Sequence, residues 1–170
     1  MFEIGDYIIY GNNGVCKVVE IGPIQLTNSK NDKLYYTLEP VYETGSKVYT
    51  PVGNKKVLMR RVISKEEAID LIDSIPNIEF DIDLTAKERE QKIKESLKTI
   101  DSEEWIKILK ALHHTKEERQ ADGKTLTSSD EKYLKATKEC LFGELAIALD
   151  KEIEEIEDYI LNRIKETELA

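Results

Sequence analysis

Along the first sixty or so residues, apolar positions come in short runs separated by turn residues. Tyr7, Ile8, Ile9 and Tyr10 are strand formers, and a second β-rich run covers residues 15–21. Gly11, Asn12, Asn13 and Gly14 lie between them and tolerate the positive φ angles of a tight reversal. The pattern predicts a β-hairpin, which alone is barely stable in water and needs further strands to cover it. Gly22-Pro23 interrupts the second strand, where proline suits an edge or a bulge. Residues 27–32 (TNSKND) form a polar loop, and residues 33–41 (KLYYTLEPV) a third strand. Gly45 and Ser46 turn the chain into a short fourth strand at residues 47–50. Residues 51–54 turn it again before a last strand within residues 57–63 (VLMRRVI). Five short strands predict a small twisted sheet that closes into a barrel. At least one edge strand stays exposed, and an exposed edge can accept a strand from another protein.

Beyond residue 62 the period changes to that of helices. Ser64 with Glu67 forms a capping box and opens a helix to about Asp73. Pro76 stops it, and residues 74–84 (SIPNIEFDIDL) read as a linker. Thr85 with Glu88 opens a helix through about Lys98, and Asp101 with Glu104 one to about His114. Residues 116–127 are polar around Gly123 and read as a connection with room for one helical turn. Ser128 with Glu131 begins the next helix, which continues to Leu149. The last runs from Glu152 to about Lys165, with Ile153, Ile156, Ile160 and Ile164 on one stripe. The fold class expected is α+β in two domains. A β module occupies residues 1–62, a helix and linker residues 63–84, and a bundle of four to five helices residues 85–170.

Charge sharpens this division. The chain has a net charge of −9, but the acid is unevenly spread. Residues 86–138 carry 13 basic and 11 acidic side chains, whereas residues 139–170 carry 3 and 10. A mildly basic helical region is therefore followed by an acidic tail, which permits DNA contact without demanding it. Cys16 and Cys140 belong to no CxxC pair and fit a reducing cytoplasm. No apolar run approaches the ~18 residues of a membrane span, and no secretory leader is visible.

Catalytic chemistry has no foothold in the pattern. His113 and His114 are the only histidines, and neighbours on a helix point about 100° apart, so they do not form one ligand face. GNNG at residues 11–14 is a turn, not a phosphate cradle, and no P-loop or nucleophile elbow occurs. The acidic pairs read as solvated helix faces. Neither an enzyme, a metal site nor a cofactor is expected.

GDYIIYGNNGV at residues 5–15 resembles the GDxVVYxxHG opening of the CarD/CdnL family of bacterial transcription regulators. The same module occurs in the transcription-repair coupling factor. VYTP at residues 48–51 falls where that family has a strand ending in a hydrophobic-Pro pair, and LFGELAIA at residues 141–148 is similar to its GELALA stretch. The resemblance implies a Tudor-like barrel that docks an edge strand on the RNA polymerase β subunit. It also implies a helical domain that contacts promoter DNA near the upstream edge of the bubble, without base-sequence readout. On this chain the docking strand would be Lys47, Val48, Tyr49, Thr50 and Pro51. DNA contact, through backbone or minor groove, would fall to Lys92, Lys94, Lys98, Lys132, Lys135 and Lys138. A cytoplasmic monomer without membrane contact is expected.

Two positions depart from the relatives. Where they carry a minor-groove tryptophan near the start of the first helix of the C-terminal domain, this chain aligns Ala86 or a neighbour. Its only tryptophan, Trp105, has Ile108, Leu109 and Leu112 at i+3, i+4 and i+7, a core pattern. Relatives often have arginine beside the docking proline, where Tyr49 stands two residues before Pro51. The alternative function is therefore a polymerase-binding adaptor that has lost DNA contact.

Overall fold

The computed structural model describes residues 1–24 and 33–169, and the side chains of all but the last two of these. The polar loop expected at residues 27–32 lies outside the described residues. Strands β1 (Tyr7–Tyr10), β2 (Val15–Gly22), β3 (Tyr35–Pro40), β4 (Val48–Pro51) and β5 (Met59–Arg61) form one antiparallel sheet. Its order is β4-β3-β2-β1-β5, with β4 and β5 at the two ends. Among the described residues no ladder joins those ends.

The first reversal is a 3-10 turn at Gly11–Asn13. Gly11 has φ +45°, and a Cβ there would stand 2.8 Å from Cγ1 of Val57. Both backbone and space therefore require glycine at this position.

Both faces of the sheet carry apolar side chains. Ile8, Tyr10, Cys16, Val18, Tyr36 and Leu38 form a core private to the β module. Phe2 closes one end of it, its ring 5.7 Å from that of Tyr36 and its amide donating to the Tyr36 hydroxyl at 3.0 Å. Ile9 and Val15, on the opposite face, join the core of the helices. This double burial explains why β1 reads as continuously apolar after Tyr7.

The helices are α1 (Lys65–Ser74), α2 (Ala86–Thr99), α3 (Ser102–Ala121), α4 (Ser128–Leu149) and α5 (Ile153–Leu169). The expected capping boxes at Ser64/Glu67 and Thr85/Glu88 are both formed. The other two helix starts differ. The Asp101 side chain accepts from the Glu103 amide, while Glu104 turns to Lys107. Thr127, not Ser128, caps α4 by accepting from the Asp130 amide.

The largest difference lies at residues 116–121, expected in a connection but helical in α3. Nothing in that run breaks a helix before Gly123, and its polarity is that of a solvated face. His113 and His114 reach Glu117 and Glu118 at 3.1 Å, one turn on. Gly123, at φ +73°, then ends the helix, and the Lys124 amide donates to the Arg119 carbonyl at 2.8 Å.

Trp105, Ile108 and Leu112 of α3 pack with Leu141 and Leu145 of α4 and Ile156 of α5, all buried. Ala68 and Ile72 of α1 belong to the same cluster, so α1 is part of the helical core. Among the described residues no helix is long and apolar enough to cross a membrane.

Candidate functional site

The expected docking strand is an edge strand, because β4 pairs with β3 alone. Register sets which backbone groups it leaves free. The Val52 amide donates to the Leu34 carbonyl at 3.0 Å, and Thr50 and Val48 follow at two-residue steps opposite Tyr36 and Leu38. In an antiparallel ladder the bonded pairs alternate, so Thr50 and Val48 turn their amides to β3. Tyr49, opposite Thr37, turns its N–H and C=O outward. Pro51 also faces outward, where its missing N–H leaves nothing unmet. The free edge thus offers the backbone of Tyr49 and the carbonyl of Pro51.

Side chains alternate in the same way. Thr50 is buried and its hydroxyl accepts from the Asn54 side chain at 2.9 Å, which closes the following turn. Val48 packs against the private core. Tyr49 points to the other face and is 44% exposed, and Lys47 is exposed just ahead of the strand. Of the five residues named from sequence, Tyr49 alone in β4 has both its backbone and its side chain available.

The six lysines do not form one patch. Lys132 and Lys135 are exposed, about 60° apart around α4, with no carboxylate within 4.0 Å among the described residues. Lys138, a further turn on, faces α5 and pairs with Glu157 at 3.5 Å. On α2, Lys94 and Lys98 are about 40° apart, and Lys94 pairs with Glu90 at 3.5 Å. Lys92 points away from them, into the groove between α2, α3 and the linker, where it pairs with Asp81. Lys98, Lys132 and Lys135 are therefore the cations left open.

Trp105 is fully buried and is not a surface wedge. Ala86 is the exposed first residue of α2.

The residues that sequence reasoning missed lie where the two modules meet. Glu144 of α4 is fully buried. Arg60 of β5 grips it with both ends of its guanidinium, Nη1 to Oε2 at 2.5 Å and Nη2 to Oε1 at 2.9 Å. The Ser102 hydroxyl donates to Oε1 at 2.7 Å, and the Ile63 amide to Oε2 at 3.2 Å. Arg60 Nε donates to the Ile100 carbonyl at 2.8 Å. Ile100 holds that carbonyl in place in a left-handed conformation, φ 52°, between α2 and α3. Beneath the guanidinium lies the Trp105 ring, 5.7 Å to its centroid.

The neighbouring glycine completes the joint. The Tyr42 hydroxyl donates to the Gly143 carbonyl at 2.8 Å, and a Cβ on Gly143 would stand 2.7 Å from the Tyr42 ring. Burial, with Glu152 and Glu154 nearby, pushes the Tyr42 phenol up to about 12, so it remains a donor. Gly143-Glu144 in the GELAIA stretch is thus the seat of the β module on α4. Its resemblance to a motif was legible, but the pairing partners Tyr42 and Arg60 were not.

Residues 2–63 match the family model of the CarD-like/TRCF RID domain. Residues 2–63 are thus similar to a RID domain. That match takes in all five strands and both Tyr42 and Arg60, and it ends before Glu144. A RID domain is consistent with RNA polymerase binding and implies an interaction with the β subunit. CarD-like proteins are non-enzymatic transcription factors. No curated protein matches the chain.

Proposed function

We propose that this protein is a transcription regulator that adds β4 to the RNA polymerase β subunit and modulates open promoter complexes through its helical module. The observation that carries the reading is the free edge of β4 within a RID domain. Tyr49 supplies the outward amide, carbonyl and aromatic side chain, and strand addition needs only backbone groups plus one or two anchors. Lys98, Lys132 and Lys135 supply contacts to phosphates. A lysine ammonium is a point charge suited to phosphate oxygens, and the contact proposed is to the backbone and independent of sequence. A chain of net charge −9 binds DNA poorly alone, and docking on polymerase supplies the effective concentration it lacks. The pairing of Lys92, Lys94 and Lys138 with acids favours a weak contact and keeps the adaptor reading as the second possibility.

The lifetime of open complexes formed by the cognate polymerase, with and without the protein, tests the proposal. Lys132→Glu with Lys135→Glu is expected to remove the effect on lifetime while polymerase binding persists. Each phosphate that the protein no longer neutralises also reduces the slope of log affinity against log salt by roughly one. An effect that survives both substitutions at low salt supports the adaptor.

A further inference from the structure

The joint between the modules could have been made of apolar contacts alone, since Ile9 and Val15 already enter the helical core. Apolar contact is non-directional and tolerates tilt. A bidentate guanidinium–carboxylate pair does not, because both bonds are satisfied at one orientation. Stability is also a weak reason to bury such a pair, as well-packed apolar replacements are often neutral or better. Yet Glu144 is fully buried and receives donors from β5, from the β module's exit at Ile63, and from the start of α3.

The consequence lies along α4. Glu144 and Lys132 are on the same helix, about 18 Å apart along its axis at 1.5 Å per residue. A tilt of about 10° at Glu144 would move Lys132 by about 3 Å, enough to break a direct hydrogen bond to a phosphate.

We propose that the Arg60–Glu144–Ser102 clasp sets the angle at which α4 is presented to promoter DNA once β4 is docked. Arg60, Glu144 and Ser102 are then positioning residues, acting through α4 and touching neither polymerase nor DNA. This rests on the polymerase and DNA reading above.

The full-length double variant Arg60→Met with Glu144→Leu leaves no unpaired buried charge and tests the clasp. Spin labels on Glu39→Cys and Glu131→Cys, both exposed positions, report the angle between modules, while Cys16 and Cys140 are buried. The expected result is a narrow distance distribution in the parent and a broad one in the double variant. Emission of Trp105, the only tryptophan, shifts with it, affinity for the β subunit is retained, and the effect on open-complex lifetime disappears. Ser102→Ala deletes one bond and leaves the ion pair, so it provides a milder case in which partial broadening and partial loss of the effect go together. A distribution as narrow as the parent's, or a broad one with the lifetime effect intact, overturns the proposal alone. A parent protein with no effect on open complexes overturns the functional reading, and the proposal with it.

Discussion

The two ends of the sheet are treated in opposite ways. At one end β4 leaves the backbone of Tyr49 unpaired and its ring 44% exposed. At the other, β5 is three residues long, and Arg60 turns its side chain into the helical module. The Arg60 backbone is bonded toward β1, because the Val62 amide donates to Tyr7 and the Gly11 amide to the Leu58 carbonyl on either side. That leaves Met59 and Arg61 facing outward, and the Arg61 carbonyl is taken by Nη1 of Arg60 itself at 3.1 Å. An open edge invites any extended strand, so a protein with two would have two sites for association. Here one edge is committed to the protein's own second module. The comparison teaches that the two edges differ in kind: β4 sets an open backbone beside an exposed ring, whereas β5 is shorter and spends Arg60 on the helical module.

The largest expected effect comes from breaking the committed edge. Glu144→Ala leaves the Arg60 guanidinium largely enclosed without its partner, and the fold should lose about 3–5 kcal/mol in urea denaturation. Arg60→Met with Glu144→Leu removes both charges and should recover part of that loss, the remainder reflecting the Ile63 amide, Ser102 hydroxyl and Ile100 carbonyl left without their partners. If the single and double variants were equally unstable, packing volume rather than the ion pair would hold this edge.

Much of this asymmetry was visible in the chain, but not the part that matters most. Every strand was legible from short runs of strand formers set between turn residues. The free edge was legible at β4 only through the resemblance of VYTP to the family's docking strand. The helical extension of α3 was not, because HHTKEERQ is polar all round and a solvated helix then has the composition of a loop. The clasp was illegible for a different reason. Arg60 and Glu144 are 84 residues apart, and in a chain that is 35% charged neither stands out until burial singles it out.

The open edge is expected to respond to proline according to register. Tyr49→Pro removes an amide that no β3 group uses, so the fold should persist while binding to the polymerase β subunit is abolished. Val48→Pro removes an amide that faces Leu38, so it should disturb the sheet itself. Tyr49→Ala keeps the amide and tests the ring, at a cost of about 1–2 kcal/mol in β-subunit affinity if it is an anchor. Circular dichroism on both proline variants, beside the binding measurement, distinguishes the two amides. Equal unfolding of both would mean that Tyr49, too, is bonded within the sheet.

A smaller effect is expected at the seat beside the clasp. Gly143→Ala should gain up to about 1 kcal/mol in helix propensity, yet its Cβ would strike the Tyr42 ring. The two terms oppose, so the single variant should be neutral or destabilised by about 1 kcal/mol. In a Tyr42→Ala background the clash is gone, and the same substitution should become stabilising. A sign that does not change between backgrounds would show that Tyr42 does not rest on Gly143 in solution.

The smallest effect belongs to the other ion pair that ties an early element to a late one. Arg163 of α5 meets Asp73 of α1 through two bonds, 2.7 and 3.0 Å, with geometry as good as that of the clasp. Its side chains are about a third exposed, so solvent screens it and most of its attraction is lost. The hydrogen bonds from Arg163 hold the Asp73 carboxyl below the usual carboxylate range. A folded-state value below the unfolded one means that the pair's contribution is present above the ordinary Asp value of ~3.9 and is lost as pH falls through the folded value. Asp73→Asn should therefore lower the melting temperature slightly at neutral pH, and the difference from the parent should vanish in acid. Glu144→Gln, measured alongside at neutral pH, should lower it by much more, because Glu144 is fully buried and its four hydrogen bonds are made away from solvent. Similar shifts from the two substitutions would mean that burial does not separate these pairs, and that β5 is held no more firmly than α5.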